Sequence, residues 1–146
     1  MSATPIEPVR LAENLMYFYW GRHPGHSNLD MELGGGAHVI FAGNDAVVID
    51  SMNLPGQGAW VRDYMSDTFG IERFRLVNSH WHEDHIGENH VYADCGIIGH
   101  ADTRRLMLEH RDRLERGWHS GVPPFRVVPP TSPSPIAWIS GAAPRG

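Results

Sequence analysis

His80, Trp81, His82, Glu83, Asp84 and His85 make a His-x-His-x-Asp-His run. Imidazole and carboxylate are the usual ligands of zinc-like cations, and water on such a cation is a nucleophile near neutral pH, so the run points to hydrolysis. Random placement of the chain's histidines and aspartates would produce such a run roughly 0.003 times in a chain of this length. The spacing has a mechanical meaning. His80 and His82 are two residues apart, so on extended backbone both imidazoles point to one side and one cation could take both. Asp84 and His85 follow where the chain must turn, which can aim them at a second cation beside the first. Trp81 and Glu83 alternate away: Trp81 is expected to pack beneath the loop and Glu83 to be solvated.

The elements around the run must hold it in place. Residues 75–79 read as a short apolar strand ending in polar residues, and Ile86-Gly87-Glu88-Asn89 as a turn towards a helix. The candidate ligands therefore stand at the carboxyl end of a strand, where open α/β sheets place their sites. Upstream, residues 37–42, a Gly43-Asn44-Asp45 turn and residues 46–50 read as paired strands. Residues 9–11 and 15–20 are expected to open the sheet, with Tyr17, Tyr19 and Trp20 in the strand core. A glycine-rich loop follows at 21–36, with His23 and His26 as surface residues, and His38 is read the same way.

Asn53-Leu54-Pro55-Gly56 breaks the chain before a helix over 59–69, which places Trp60, Val61, Tyr64, Met65 and Phe69 on one face and stops at Gly70. A short helix near 89–93 and a buried strand over 96–99 come next. Asp102 is expected to cap a helix to Arg116 that carries Leu106, Met107, His110 and Leu114 near one face and ends at Gly117. His100, at a strand end, is expected to serve a structural or rim role. His90, His110 and His119 have no partner at ligand spacing and read as solvated or capping. Cys95 reads as a small core residue.

Composition narrows the function classes. The 146 residues suffice for one domain with its own core, and 41% are hydrophobic. A net charge of -5 without a Lys/Arg cluster argues against nucleic acid and for a small organic substrate. One Cys forbids an internal disulfide. The start of the chain lacks a basic-then-apolar leader and no run is long enough to cross a membrane, so a cytoplasmic location is the default expectation.

The segment Asn-Ser-His-Trp-His-Glu-Asp-His-Ile-Gly-Glu-Asn at 78–89 resembles the signature of the metallo-β-lactamase superfamily of metallo-hydrolases. The resemblance extends upstream through the paired strands, where Asp50 in Val-Val-Ile-Asp-Ser matches an aspartate that supports the site. It implies an α/β (α+β) chain built on a four-layer αββα sandwich, with zinc as the cofactor and two ions per complete site. His80 and His82 would hold the first ion, and Asp84 with His85 the second, Asp84 also standing as the catalytic residue. His82, where diiron relatives carry a carboxylate, favours zinc over iron or manganese. The complete Asp84-His85 pair argues against lactamase-type sites that lack the second histidine, and Glu88 stands where relatives often have Gly. The implied reaction is attack of a cation-bound hydroxide on an ester, lactone, thioester, amide or sulfate centre.

The same resemblance exposes a shortage. A complete family site draws a third histidine, a bridging aspartate and a last histidine from the carboxyl half of the fold, and no such segment follows His85. The expectation is therefore the first half only: residues 1–130 as a partial domain with a mostly mixed sheet and flanking helices, and 131–146 as an irregular tail. A frameshift near position 130 would account for that tail's lack of strand or helix period. A sheet made to be covered by a second sheet would leave one apolar face open, so the chain is expected to self-associate, pair with another half or aggregate. The alternative function is a non-catalytic remnant or interaction module that retains part of the metal site.

Overall fold

The computed structural model describes residues 6–20, 35–117 and 123–134. Seven strands form one sheet in chain order: β1 (Glu7–Ala12), β2 (Leu15–Trp20), β3 (Gly35–Ala42), β4 (Asp45–Ile49), β5 (Arg73–Asn78), β6 (Ile97–His100) and β7 (Ser132–Ser134). The first four run antiparallel to one another, and β4 to β7 run parallel. Two-residue turns join β1 to β2, through Glu13 and Asn14, and β3 to β4, through Gly43 and Asn44, with Gly43 at φ 58°. Parallel neighbours need longer crossovers. Helix α1 (Gln57–Phe69) bridges β4 to β5, and α2 (Glu83–Ile86) with a 3₁₀ turn (Asn89–Tyr92) bridges β5 to β6. Helices α3 (Ala101–Glu109) and α4 (Arg111–Glu115) follow β6. Among the described residues no helix is long and apolar enough to cross a membrane.

One sheet face carries the core. Met16, Phe18, Val39, Val48 and Leu76 alternate inward along four strands and meet Val61 and Met65 of α1, all at most 2% exposed. Each such side chain contributes about 1.5–3 kcal/mol on leaving water. A second cluster of Ile86, Met107, Leu114 and Val127 binds α2 to α3, α4 and the segment before β7. Among the described residues no element covers the opposite face. Register sets Ile40 beside Val47 and Val47 beside Arg75, and Val9 beside Tyr17. Val9, Ile40 and Val47 are 36%, 45% and 36% exposed.

Several sequence expectations change here. Tyr17 and Tyr19 are not strand core: β2 turns Met16 and Phe18 inward, which leaves the two tyrosines half-buried on the other face, where Tyr17 stacks on exposed His38 with ring centroids 4.5 Å apart. Helix α1 starts at Gln57, after Gly56 at φ 88°, and its Trp60 is 39% exposed. The helix expected over 102–116 is two helices that meet at His110, whose ring stacks on Trp81 at 4.9 Å. The cap of α3 is His100, not Asp102: His100 Nδ1 accepts from the Asp102 N–H at 3.1 Å. Residues 132–134, read from sequence as patternless, pair with β6 through strand hydrogen bonding. His23, His26 and His119 lie outside the described residues, as do residues 135–146 and the side chain of Trp20.

Candidate metal centre

Three chain segments converge at the carboxyl ends of β4 and β5. The first is Asp50-Ser51-Met52, which leaves β4 through left-handed backbone at Asp50 (φ 65°) and Met52 (φ 70°). Such φ values are costly for residues other than Gly and persist where surroundings enforce them, commonly at functional sites. The enforcement is visible. Asp50 N–H donates to Val77 O at 2.9 Å, while the Asp50 carboxylate accepts from Ser79 N–H and Ser79 Oγ, both at 2.7 Å. The second segment is Asn78-Ser79-His80, the end of β5. The third is α2, entered through His82 in extended conformation.

All four candidate ligands come together there. The His80 ring lies 4.8 Å from that of His82 and 4.0 Å from that of His85, centroid to centroid. Asp84 Oδ2 lies 3.1 Å from His85 Nε2. The other nitrogen of His85 lies 2.8 Å from Asp50 Oδ2, so its imidazole is gripped by a carboxylate at each end. Asp50 thus orients a candidate ligand, as the resemblance implied.

The electrostatics follow the geometry. Burial alone would disfavour a charged His85, but the hydrogen bonds to Asp50 and Asp84 outweigh it and push the imidazole up to about 9. Burial would likewise raise Asp84, but its hydrogen bond to His85, the charge of His85, a backbone hydrogen bond and nearby His80 together outweigh it and leave the carboxyl below its usual range. His80 moves the other way, pushed down by burial and by His85 and His82 beside it.

The donor chemistry fits zinc, which takes imidazole nitrogen and carboxylate oxygen readily. The donors are only part of a site: among the described residues no group of three or more His, Cys, Asp or Glu is arranged to hold one ion. Trp81 is half-buried against the second apolar cluster, as expected of a packing residue. Glu83 corrects its sequence reading, being only 5% exposed. The alternation argument assumed extended backbone, whereas the chain enters α2 directly after His82 and the period changes from 2 to 3.6. His90 is exposed and His100 caps a helix.

Sequence reasoning missed the buried polar set beneath the ligands: Ser51, Asn78 and Asn89, each at most 3% exposed. Its signal was three polar residues in stretches otherwise patterned for burial. Glu88 was noted only as a departure from the family. Its buried carboxylate accepts from Gly56 N–H at 3.0 Å and Gly58 N–H at 3.2 Å, supplying α1 with the cap that Gly56 cannot. Burial raises the Glu88 pKa, an effect only partly countered by His90 and these two N–H groups.

No family model and no curated protein matches the sequence. Solved structures do match the fold. The DIM-1 metallo-β-lactamase exposed to ceftazidime superposes with a TM-score of 0.68 at 14% identity, over 92% of this chain and 53% of that one. The FIM-1 metallo-β-lactamase from Pseudomonas aeruginosa, in its mono-zinc form, gives 0.63 at 14% identity, over 88% and 53%. A metallo-β-lactamase from Hirschia baltica gives 0.62 at 19% identity, over 86% and 52%. The chain thus spans about half the length of the solved structures it matches. The sheet, its flanking helices and these superpositions identify the chain as a partial metallo-β-lactamase fold.

Proposed function

We propose that the sequence belongs to a zinc-dependent hydrolase acting on an ester, lactone, thioester or amide-type substrate. The observation that carries this reading is the meeting of His80, His82, Asp84 and His85 at one end of the sheet, with Asp50 holding His85 from behind. His80 and His82 would hold one ion, and Asp84 with His85 a second. Bound zinc supplies a Lewis acid and a water that ionises near neutral pH. The chain's own residues prepare that chemistry. Asp50 fixes the direction of the His85 ring, and Ser79, hydrogen-bonded to Asp50 and 3.0 Å from His80 Nδ1, ties the two histidines to one carboxylate. His85 must release its Nε2 proton, and Asp84 the hydrogen bond it shares with it, before either ligates.

The test is zinc uptake by the purified chain against a chromophoric competitor, followed by turnover on a panel of esters, lactones, thioesters and amides. Uptake that is lost in His82→Ala and in His85→Ala supports the reading. Equal uptake by the unaltered chain and both variants overturns it.

A second reading, a non-catalytic interaction module, is favoured by one observation: apolar Val9, Ile40 and Val47 on the open sheet face. In a solution of the pure chain the occupant available to that face would be a second copy. Turnover by a monomeric chain would remove this reading.

A further inference from the structure

We infer that Asn89 is a positioning residue of the site, holding the His85 backbone in place through Ser51 and Asn78. The inference rests on the proposed function for its purpose, and on hydrogen bonding alone for its geometry. Asn89 is fully buried and spends every hydrogen-bonding capacity of its amide. Its Oδ1 accepts from Ser51 Oγ at 2.9 Å and from Asn78 Nδ2 at 3.0 Å. Its Nδ2 donates to Asn78 Oδ1 at 2.9 Å and to Val128 O at 2.8 Å. The two asparagines are thus locked face to face.

The lock acts on one atom of the site. The His85 carbonyl accepts from Ser51 N–H at 2.9 Å, and Ser51 Oγ and Asn78 Nδ2 stand 3.3 and 3.4 Å from it. Ser51 Oγ in turn accepts from Glu88 N–H at 3.2 Å. Each of the three segments that carry site residues is therefore stapled to the others by a buried polar group: Ser51 beside Asp50, Asn78 beside Ser79 and His80, and Asn89 beyond His85. A hydrophobic plug of the same volume would fill the space without fixing the carbonyl. Packing resists compression in all directions, whereas hydrogen bonds set a distance and an angle. Asn89 also reaches Val128, so the segment leading to β7 is fastened to the site although it contributes none of the candidate ligands.

A merely structural role predicts lost stability and nothing else. The experiment therefore compares Asn89→Asp and Ser51→Ala with Val61→Ala, a core truncation in α1 chosen to be at least as destabilising. Two readouts are taken on the full chain below every melting temperature. The first needs no metal: the NMR resonance of the His85 Nδ1 proton, whose protection from exchange reports the contact with Asp50. The second is the dissociation constant for Co²⁺, followed by its visible absorption. Positioning predicts that Asn89→Asp and Ser51→Ala lose the protected proton and bind Co²⁺ about tenfold or more weakly, while Val61→Ala keeps both. An unaltered His85 proton in the Asn89 and Ser51 variants overturns the inference, as does an equal loss in Val61→Ala. If the unaltered chain takes up no Co²⁺, the proposed function fails and the proton readout still decides the role of Asn89.

Discussion

Replacing Gly87 by Ala would push apart the two backbones that build the site. A Cβ at this position would lie 2.7 Å from Asn53 Cα and 3.0 Å from the carbonyl oxygens of Met52 and Asn53. All three neighbours are backbone, so no side-chain rotation relieves the contact. The Glu88 N–H bond to Met52 O, now 3.3 Å, would lengthen, and the strain would reach Ser51 and His85 through their 2.9 Å bond. Overpacking of this kind costs about 1–3 kcal/mol, and rigid backbone places the cost in the upper part of that range. The smaller conformational entropy of Ala in the unfolded chain returns about 0.4–1 kcal/mol. A net loss of about 1.5–2.5 kcal/mol is expected, or a melting temperature lower by about 4–8 °C for a domain of this size. Thermal and urea unfolding, followed by circular dichroism, measure it. Gly43→Ala is the comparison: its Cβ would meet open space and its φ of 58° costs about 1 kcal/mol by itself. Only Gly87→Ala should also disturb the His85 contact with Asp50. A Gly87→Ala chain as stable as the unaltered one, with that contact intact, would refute the close approach and the coupling drawn from it.

Leu76→Ala, at a fully buried position in β5, should cost about 2–5 kcal/mol in urea unfolding; a loss below 1 kcal/mol would show that the sheet face is not packed as described. Burial first, and then Asp94 beside it, push the Cys95 thiol up from 9.0 to about 11. Its thiolate fraction at pH 8 is then about a hundredfold below that of an unperturbed thiol, so iodoacetamide should label the folded chain about a hundredfold more slowly than the urea-unfolded one; equal rates would contradict this environment. Ile40→Lys, at the centre of the open face, should shift the chain towards monomer in sedimentation velocity. An unaltered chain that is already monomeric at high concentration would show that the open face needs no cover.

Three features of the run were readable without tertiary structure because they depend only on local geometry. The four candidate ligands follow from residue type, the apolar stretch before them makes β5, and the chain changes direction after His82, where Asp84 and His85 enter α2 rather than a turn. The residues 46–50 strand, the Gly43 turn and the α1 stop at Gly70 were equally local. The errors share a cause. Glu83 was read on an extended period that ends at His82, and Tyr17 and Tyr19 were read as core because aromatic residues suit strands on either face. Which face is covered depends on where α1 packs, far along the chain.

Sequence by itself therefore determined the candidate ligands, their order and the strand that delivers them, since residue type and short-range period decide those. Only the tertiary structure decided how the ligands are held. The left-handed turn at Asp50, the grip of Asp50 on His85, the Glu88 cap on α1 and the links of Ser51 and Asn78 to Asn89 each join residues separated by 11 to 38 positions or depend on such a join. Partners at that separation leave no periodic trace, because what selects them is the need of each buried polar group for a hydrogen bond once the strands have brought them together.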